Sequence, residues 1–194
     1  MPQGLSDPAL VARAREGDET AFVVLYERHR DAVFRFAWRM LGAVEAAEDV
    51  AHDCFLALLR DPTRFDAERA SLRTYLCAAA RNQVLKRLRD GGRESDCEVP
   101  DVADHREPLG RLLEAETAEL VRDAVSALVP LQRETLILVE YEGLTLAEVA
   151  EVVCADLGTV KARLHRAREA LRRRLAPLKG AAPSTVGGRD GGRS

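Results

Sequence analysis

The sequence predicts an all-α protein made of two small helical domains joined by a flexible acidic linker. Three observations carry that prediction. Apolar residues recur at helical spacing between turn signals such as Asp-Pro, Gly and Gly-Gly over most of the 194 residues. Between Asp90 and Glu116 the composition shifts abruptly, with nine acidic residues against three arginines and little periodicity before Leu109. Residues 145–175 then read as two helices joined by a tight turn, the second loaded with cations. The expected boundaries are 7–90 for the first domain, 91–110 for the linker, 111–178 for the second domain and 179–194 for a disordered tail.

Along the chain, Asp7-Pro8 reads as a cap followed by a first-turn proline, and Gly17 closes that short helix. Asp18 caps a second helix, in which Phe22, Leu25, Tyr26, Val33, Ala37, Met40 and Leu41 keep helical spacing up to Gly42. A third helix covers 46–60 and stops at Asp61-Pro62, because the residue before proline is pushed out of the helical region. Ser71 can cap a fourth that runs to about Arg89 and ends at Gly91-Gly92. The second unit begins near Arg111, breaks at Pro130, resumes from Leu131 to Glu142 and ends at Gly143.

Thr145 and Glu148 form a capping box, in which each side chain satisfies an orphan backbone N–H at a helix start. Leu146, Val149, Ala150 and Val153 give that helix an inward face, and Asp156 caps the next one after Cys154-Ala155 breaks the register. In the last helix Val160, Leu164, Ala167, Leu171 and Leu175 form the apolar stripe. Thr159, Ala162, Arg163, Arg166 and Arg173 fall opposite, with Lys161, His165 and Arg168 on the flanks. From Gly158 to Lys179 eight Lys/Arg accompany one acid, Glu169, although the whole chain carries 29 basic and 32 acidic residues. Such local sorting is the electrostatic footprint of a nucleic-acid-binding face. A second cationic track runs from Arg69 to Arg89, with six Arg/Lys and no acid, and holds Tyr75 with Phe65 nearby. Cations beside aromatic platforms suit an unstacked single strand.

Other functions find little footing. The four histidines are dispersed, and no phosphate loop, nucleophile elbow or HExxH occurs, so the chain reads as neither an enzyme nor a metal or cofactor carrier. Cys54, Cys77, Cys97 and Cys154 lack CxxC spacing and read as reduced, mostly buried thiols; Cys97 with His105 is the one pairing near a linker. With no apolar run of transmembrane length and no signal peptide at Met1-Pro2-Gln3, a cytoplasmic protein without membrane insertion is expected.

The order of parts resembles a bacterial RNA polymerase sigma factor of the extracytoplasmic function group, over roughly Asp7 to Leu175. Ala47-Glu48-Asp49-Val50-Ala51-His52-Asp53-Cys54-Phe55-Leu56 is similar to the family's A-E-D-(L/V)-x-Q-(D/E)-x-F-L block. Phe65-Asp66, Ser71 through Leu76 and Ala80-Arg81-Asn82 resemble the loop and helix that open and read the minus-10 element. Leu131-Gln132-Arg133-Glu134, Glu142-Gly143-Leu144-Thr145 and Gly158 through Arg168 resemble the minus-35-binding domain. The resemblance implies that Glu48, Asp49, His52, Asp53 and Phe55 face core polymerase through its largest-subunit clamp. It implies that Phe65, Arg73, Tyr75, Arg81, Asn82 and Lys86 serve the minus-10 element, and that Thr159, Lys161, Ala162, Arg163 and Arg166 serve the minus-35 element. Further implied partners are promoter DNA, the flap of the second-largest subunit and an anti-sigma factor; the acidic linker would thread a cationic polymerase channel.

Tyr75 stands where the family commonly has Trp, Ala162 where Ser is frequent, and Cys154-Ala155-Asp156 where the turn usually contains Gly. If that turn needs a positive φ at Cys154, a side chain there costs roughly 1 kcal/mol. Two other functions fit a helix-turn-helix: a conventional dimeric transcriptional regulator, and a sigma-like interaction module that does not melt promoters. The Ala-Glu-Asp block of the 46–60 helix separates the first of these from a sigma factor, since a simple regulator has no use for it.

Overall fold

Four helices build the N-terminal unit in the computed structural model, which describes residues 4–90 and 118–179, with side chains to 176. They are α1 (Asp7–Arg15), α2 (Glu19–Leu41), α3 (Val44–Arg60) and α4 (Leu72–Asp90), with a 3-10 turn, Pro62–Arg64, between the last two. The C-terminal unit comprises α5 (118–126), α6 (Pro130–Leu136) continuing into a π turn (Ile137–Tyr141), α7 (Leu146–Val153) and α8 (Leu157–Lys179). Among the described residues there is no strand. The acidic linker, the tail, Cys97 and His105 lie outside them.

Helical spacing puts one stripe of each long helix into a shared core. Leu25, Val33, Phe36 and Met40 of α2 meet Val50, Phe55 and Leu58 of α3 and Leu72, Leu76 and Val84 of α4, all nearly inaccessible to water. Each such large side chain contributes roughly 1.5–3 kcal/mol by leaving water. Buried Ala37, Ala47, Ala51 and Ala80 let the helix backbones approach closely. Cys54 and Cys77 belong to this core, and burial pushes both thiols up to about 12, which leaves them protonated and unreactive.

The ends follow the expected capping chemistry, with two corrections. Asp18 accepts from the Ala21 N–H at 3.1 Å, Ser71 from the Thr74 N–H at 3.1 Å, and Gly42 ends α2 at φ 77°. Asp7, however, is not a cap. Ser6 occupies the N-cap position without a side-chain bond, and the Asp7 carboxylate instead reaches α2, where it meets His29 Nε2 at 2.8 Å and the Arg28 guanidinium. A cross-helix pair has outcompeted the local bond. Pro130, likewise, is not a break inside a helix; it is the first residue of α6, where a missing N–H is harmless, and the interruption lies at 127–129.

The helix-turn-helix forms as the residues dictate. Both halves of the Thr145–Glu148 capping box are present, and Glu148 is held ionised below its ordinary range chiefly by the Thr145 N–H. Cys154 sits at φ 50°, ψ 51° in the left-handed region, and Asp156 caps α8 by accepting from the Thr159 N–H at 2.9 Å. Val160, Leu164 and Ala167 are buried against α6 and α7, as their spacing demands. Val152 joins them, although the periodic reading omits it.

Candidate nucleic-acid interface

On α8, the cationic helix, Lys161, Ala162 and Arg166 are exposed along one face. Thr159 is half-buried, and its hydroxyl donates to Asp156 Oδ2 at 2.5 Å, fixing the tip of the helix. Arg163 is held differently. Its side chain is 21% exposed, with Nη1 3.6 Å from Oε1 of Glu134, a carboxylate with no exposure at all. Arg168 braces the helix against the π turn through Glu140, Nε to Oε1 at 2.9 Å.

The second cationic surface is built by α4 and the loop before it. Phe65 is 6% exposed and meets the Tyr75 ring edge-on with centroids 5.7 Å apart. Around this pair opens a cavity of about 520 Å3 lined by Arg64, Arg69 and Tyr75, and walled on its far side by Glu151 and Val152 of α7. Partial burial raises the Tyr75 hydroxyl above its ordinary range. Asn82 and Lys86 are exposed, whereas the Arg81 side chain is only 13% exposed and that of Arg73 is 40% exposed. Arg81 donates from Nε to Glu134 Oε2 at 2.8 Å and from Nη2 to Oε1 at 3.2 Å. Arg73 donates from Nη2 to Glu142 Oε2 at 3.3 Å.

A third surface lies on α3. Glu48, Asp49 and His52 are exposed and Asp53 is half-exposed, on one side of the helix. Arg87 of α4 reaches Asp49 at 3.5 Å and Asp53 at 3.6 Å. Phe55 does not share that surface. It is 2% exposed and packs edge-on against Tyr26 at 4.9 Å, which fixes α3 against α2. Beside it the reading from sequence missed exposed Val23 and Leu59, which flank a small apolar groove of about 240 Å3 with His52 and Leu56 on its wall.

Two buried glutamates, Glu134 and Glu142, also escaped sequence reasoning. The only signal is their closeness to the apolar run Leu136-Ile137-Leu138-Val139, two positions before it for Glu134 and three after it for Glu142, where an unpaired buried carboxylate is costly. Their partners lie far along the chain, so spacing could not name them. Among the described residues no group of three or more His, Cys, Asp or Glu could hold a metal ion, and no helix is long and apolar enough to cross a membrane.

Two helical units, one carrying a cationic helix whose single acid is its last residue, Asp90, beside an aromatic pair, and the other a basic helix-turn-helix, define a DNA-engaging protein of the sigma-70 class. The Sigma-70 region 2 family model matches residues 25–94 and the Sigma-70 region 4 model residues 118–171. The chain is 30% identical over 190 residues to an ECF RNA polymerase sigma-E factor of Haemophilus influenzae, covering 92% of this chain and all of that one. It is 29% identical over 180 residues to the ECF sigma factor SigW of Bacillus subtilis, covering 87% and 96%. Among solved structures, the sigma factor RpoE in complex with the anti-sigma factor NepR from Bartonella quintana matches with TM-score 0.65 and 26% identity, over 80% of this chain and 96% of that one. CnrH, solved with the cytosolic domain of CnrY, shares the fold with TM-score 0.66 and 24% identity, over 91% and 99%. The chain belongs to the extracytoplasmic function family of RNA polymerase sigma factors. Its function is to direct promoter-specific transcription initiation.

Proposed function

We propose that the labour of initiation is divided among the three surfaces. The domain spanning 7–90 docks on the clamp of core polymerase through Glu48, Asp49, His52 and Asp53 of α3, which Phe55 holds in place from beneath. Its Phe65–Tyr75 cavity and the cations Arg73, Arg81 and Lys86, with Asn82, take the melted minus-10 strand, since a cationic wall beside aromatic rings binds unstacked bases irrespective of duplex geometry. The domain spanning 111–178 lays α8 in the major groove at the minus-35 element. Thr159, Lys161, Ala162 and Arg163 lie on the half nearest the helix start, where side chains reach base edges, and Arg166 lies where a phosphate is met. The chain works without covalent chemistry, in the cytoplasm, and is held by an anti-sigma protein, as the similar sigma factor RpoE is seen in complex with NepR. The observation that carries the reading is the segregation of acids onto α3 and cations onto α4 and α8 in a chain that is nearly neutral overall.

Two variants separate the roles. Arg166→Ala is expected to weaken promoter use about tenfold, and to lower the salt dependence of promoter binding by about one ion, while core polymerase still co-purifies. Asp49→Arg is expected to do the reverse, lowering co-purification. Equal loss of polymerase binding in both variants, or none in Asp49→Arg, would overturn the division.

A further inference from the structure

Helix α1 ends in an arginine that reaches across to the loop before α4. Arg15 is the last residue of α1, and its Nη2 donates to the Pro62 carbonyl and, at 3.2 Å, to the Phe65 carbonyl, 47 and 50 positions further along the chain. Those two carbonyls bracket the 3-10 turn, whose own closing bond runs from the Phe65 N–H to the Pro62 carbonyl at 3.3 Å. The side-chain bonds within the loop are local: Asp61 accepts from the Thr63 hydroxyl and from Arg64 Nε, and Asp66 accepts from the Glu68 N–H at 3.0 Å. Among the described residues, Arg15 thus supplies the hydrogen bonds that tie residues 61–70 to a distant element, and the Phe65 carbonyl has no other partner.

Packing holds the backbone of this loop weakly. Phe65 and Asp66 border open space on two sides: the cavity shared with Tyr75, and a second one of about 410 Å3 toward α1, bounded also by Val11, Arg15 and Thr63. A backbone between two voids takes its position from the bonds that fix it, because few dispersion contacts resist a shift. A guanidinium on two carbonyls is a strong tie, since a charged donor bonds more tightly than a neutral one. Its anchor is firm as well. Leu10 and Val11 of α1 are buried in the core, and Asp7 at the other end of the helix meets His29 of α2 at 2.8 Å.

We propose that Arg15 is a positioning residue for minus-10 recognition, which fixes the Phe65 backbone and so sets the shape of the cavity that an unstacked base enters. This rests on the reading of the Phe65–Tyr75 surface as the minus-10 site. With its carbonyl held, Phe65 can aim its ring only through its side-chain torsions, and the edge-on contact with Tyr75 at 5.7 Å takes up that freedom. In this role Arg15 acts through Phe65 and not by meeting the base. Releasing it loosens the wall of the cavity, and discrimination between bases depends on a wall held to a fraction of an ångström.

The test uses holoenzyme reconstituted from core polymerase and the full chain, on a promoter fragment and a set of single-base changes in its minus-10 element. Strand opening is read by 2-aminopurine fluorescence in the minus-10 strand for Arg15→Ala, Arg15→Lys, Arg13→Ala and Tyr75→Ala. Arg15→Ala is expected to lower opening about tenfold on the reference promoter and to compress the ratio between the reference and the changed promoters, while core polymerase still co-purifies. A chain that is merely less stable lowers every promoter by the same factor and leaves that ratio alone. Arg15→Lys is expected to recover part of the ratio, since an ammonium can still meet one of the two carbonyls. Arg13→Ala removes the same charge from α1 but breaks only a pair with Asp18, and is expected to match the wild type. An unchanged ratio in Arg15→Ala, or an equal loss in Arg13→Ala, would overturn the positioning role even where Tyr75→Ala abolishes opening. Full opening by Tyr75→Ala would instead remove this surface as the minus-10 site, and the role of Arg15 with it.

Discussion

Cys154 concentrates the residue-scale chemistry of the helix-turn-helix. Its left-handed backbone at φ 50° is a conformation that favours glycine, and its thiol is exposed with one weak contact to the Glu151 carbonyl at 3.6 Å. Cys154→Gly removes a steric cost of roughly 1–2 kcal/mol and adds part of it back as unfolded-chain entropy, for a net gain of about 0.5–1 kcal/mol. Urea unfolding checks it, and a loss of stability contradicts the strain argument. Glu148 gives a pH signature. Its folded pKa is depressed, mainly by the Thr145 N–H, so its contribution is present above the ordinary carboxylate pKa and disappears as pH falls through the lowered value. Glu148→Gln is expected to flatten that acid limb of the stability profile; an unchanged limb would count against the box. The turn was legible in the sequence because capping is local. Asp7 misled for the opposite reason, since His29 and Arg28 lie more than twenty positions away.

At the scale of elements, the π turn is the piece on which the C-terminal unit hangs. Ile137 and Leu138 drive into the core with no exposed surface, and the widened turn sends the Glu142 N–H to the Ile137 carbonyl at 3.0 Å, ending at Gly143 with φ 64°. Leu138→Ala is expected to cost 2–5 kcal/mol by cavity formation, read as a lowered midpoint of chemical unfolding. A cost below about 1 kcal/mol would mean that the site collapses freely. Helix existence and stripes were readable from periodicity in α2, α3, α4 and α8, because each stripe meets one core. The π turn was not, since Leu131 to Glu142 carries the same apolar spacing whether the helix winds tightly or bulges.

Across the whole molecule, the charge sorting seen along the chain becomes a sorting of surfaces, with acids on α3 facing outward and the cations Arg73, Arg81 and Arg163 of α4 and α8 meeting Glu142 and Glu134. Sequence order alone could identify the parts. It could not show that Arg81 and Arg163, 82 positions apart, would meet on Glu134. The proposed division of labour requires two units that act together on a promoter after meeting polymerase. The most direct measurement is transcription in vitro with purified core polymerase, this chain and genomic fragments, followed by mapping of start sites. The account predicts initiation at a small set of sites that share two elements spaced as minus-35 and minus-10, and none without core polymerase or without this chain. Tight binding of the chain alone to duplex sites, with no initiation when core polymerase is added, would contradict it.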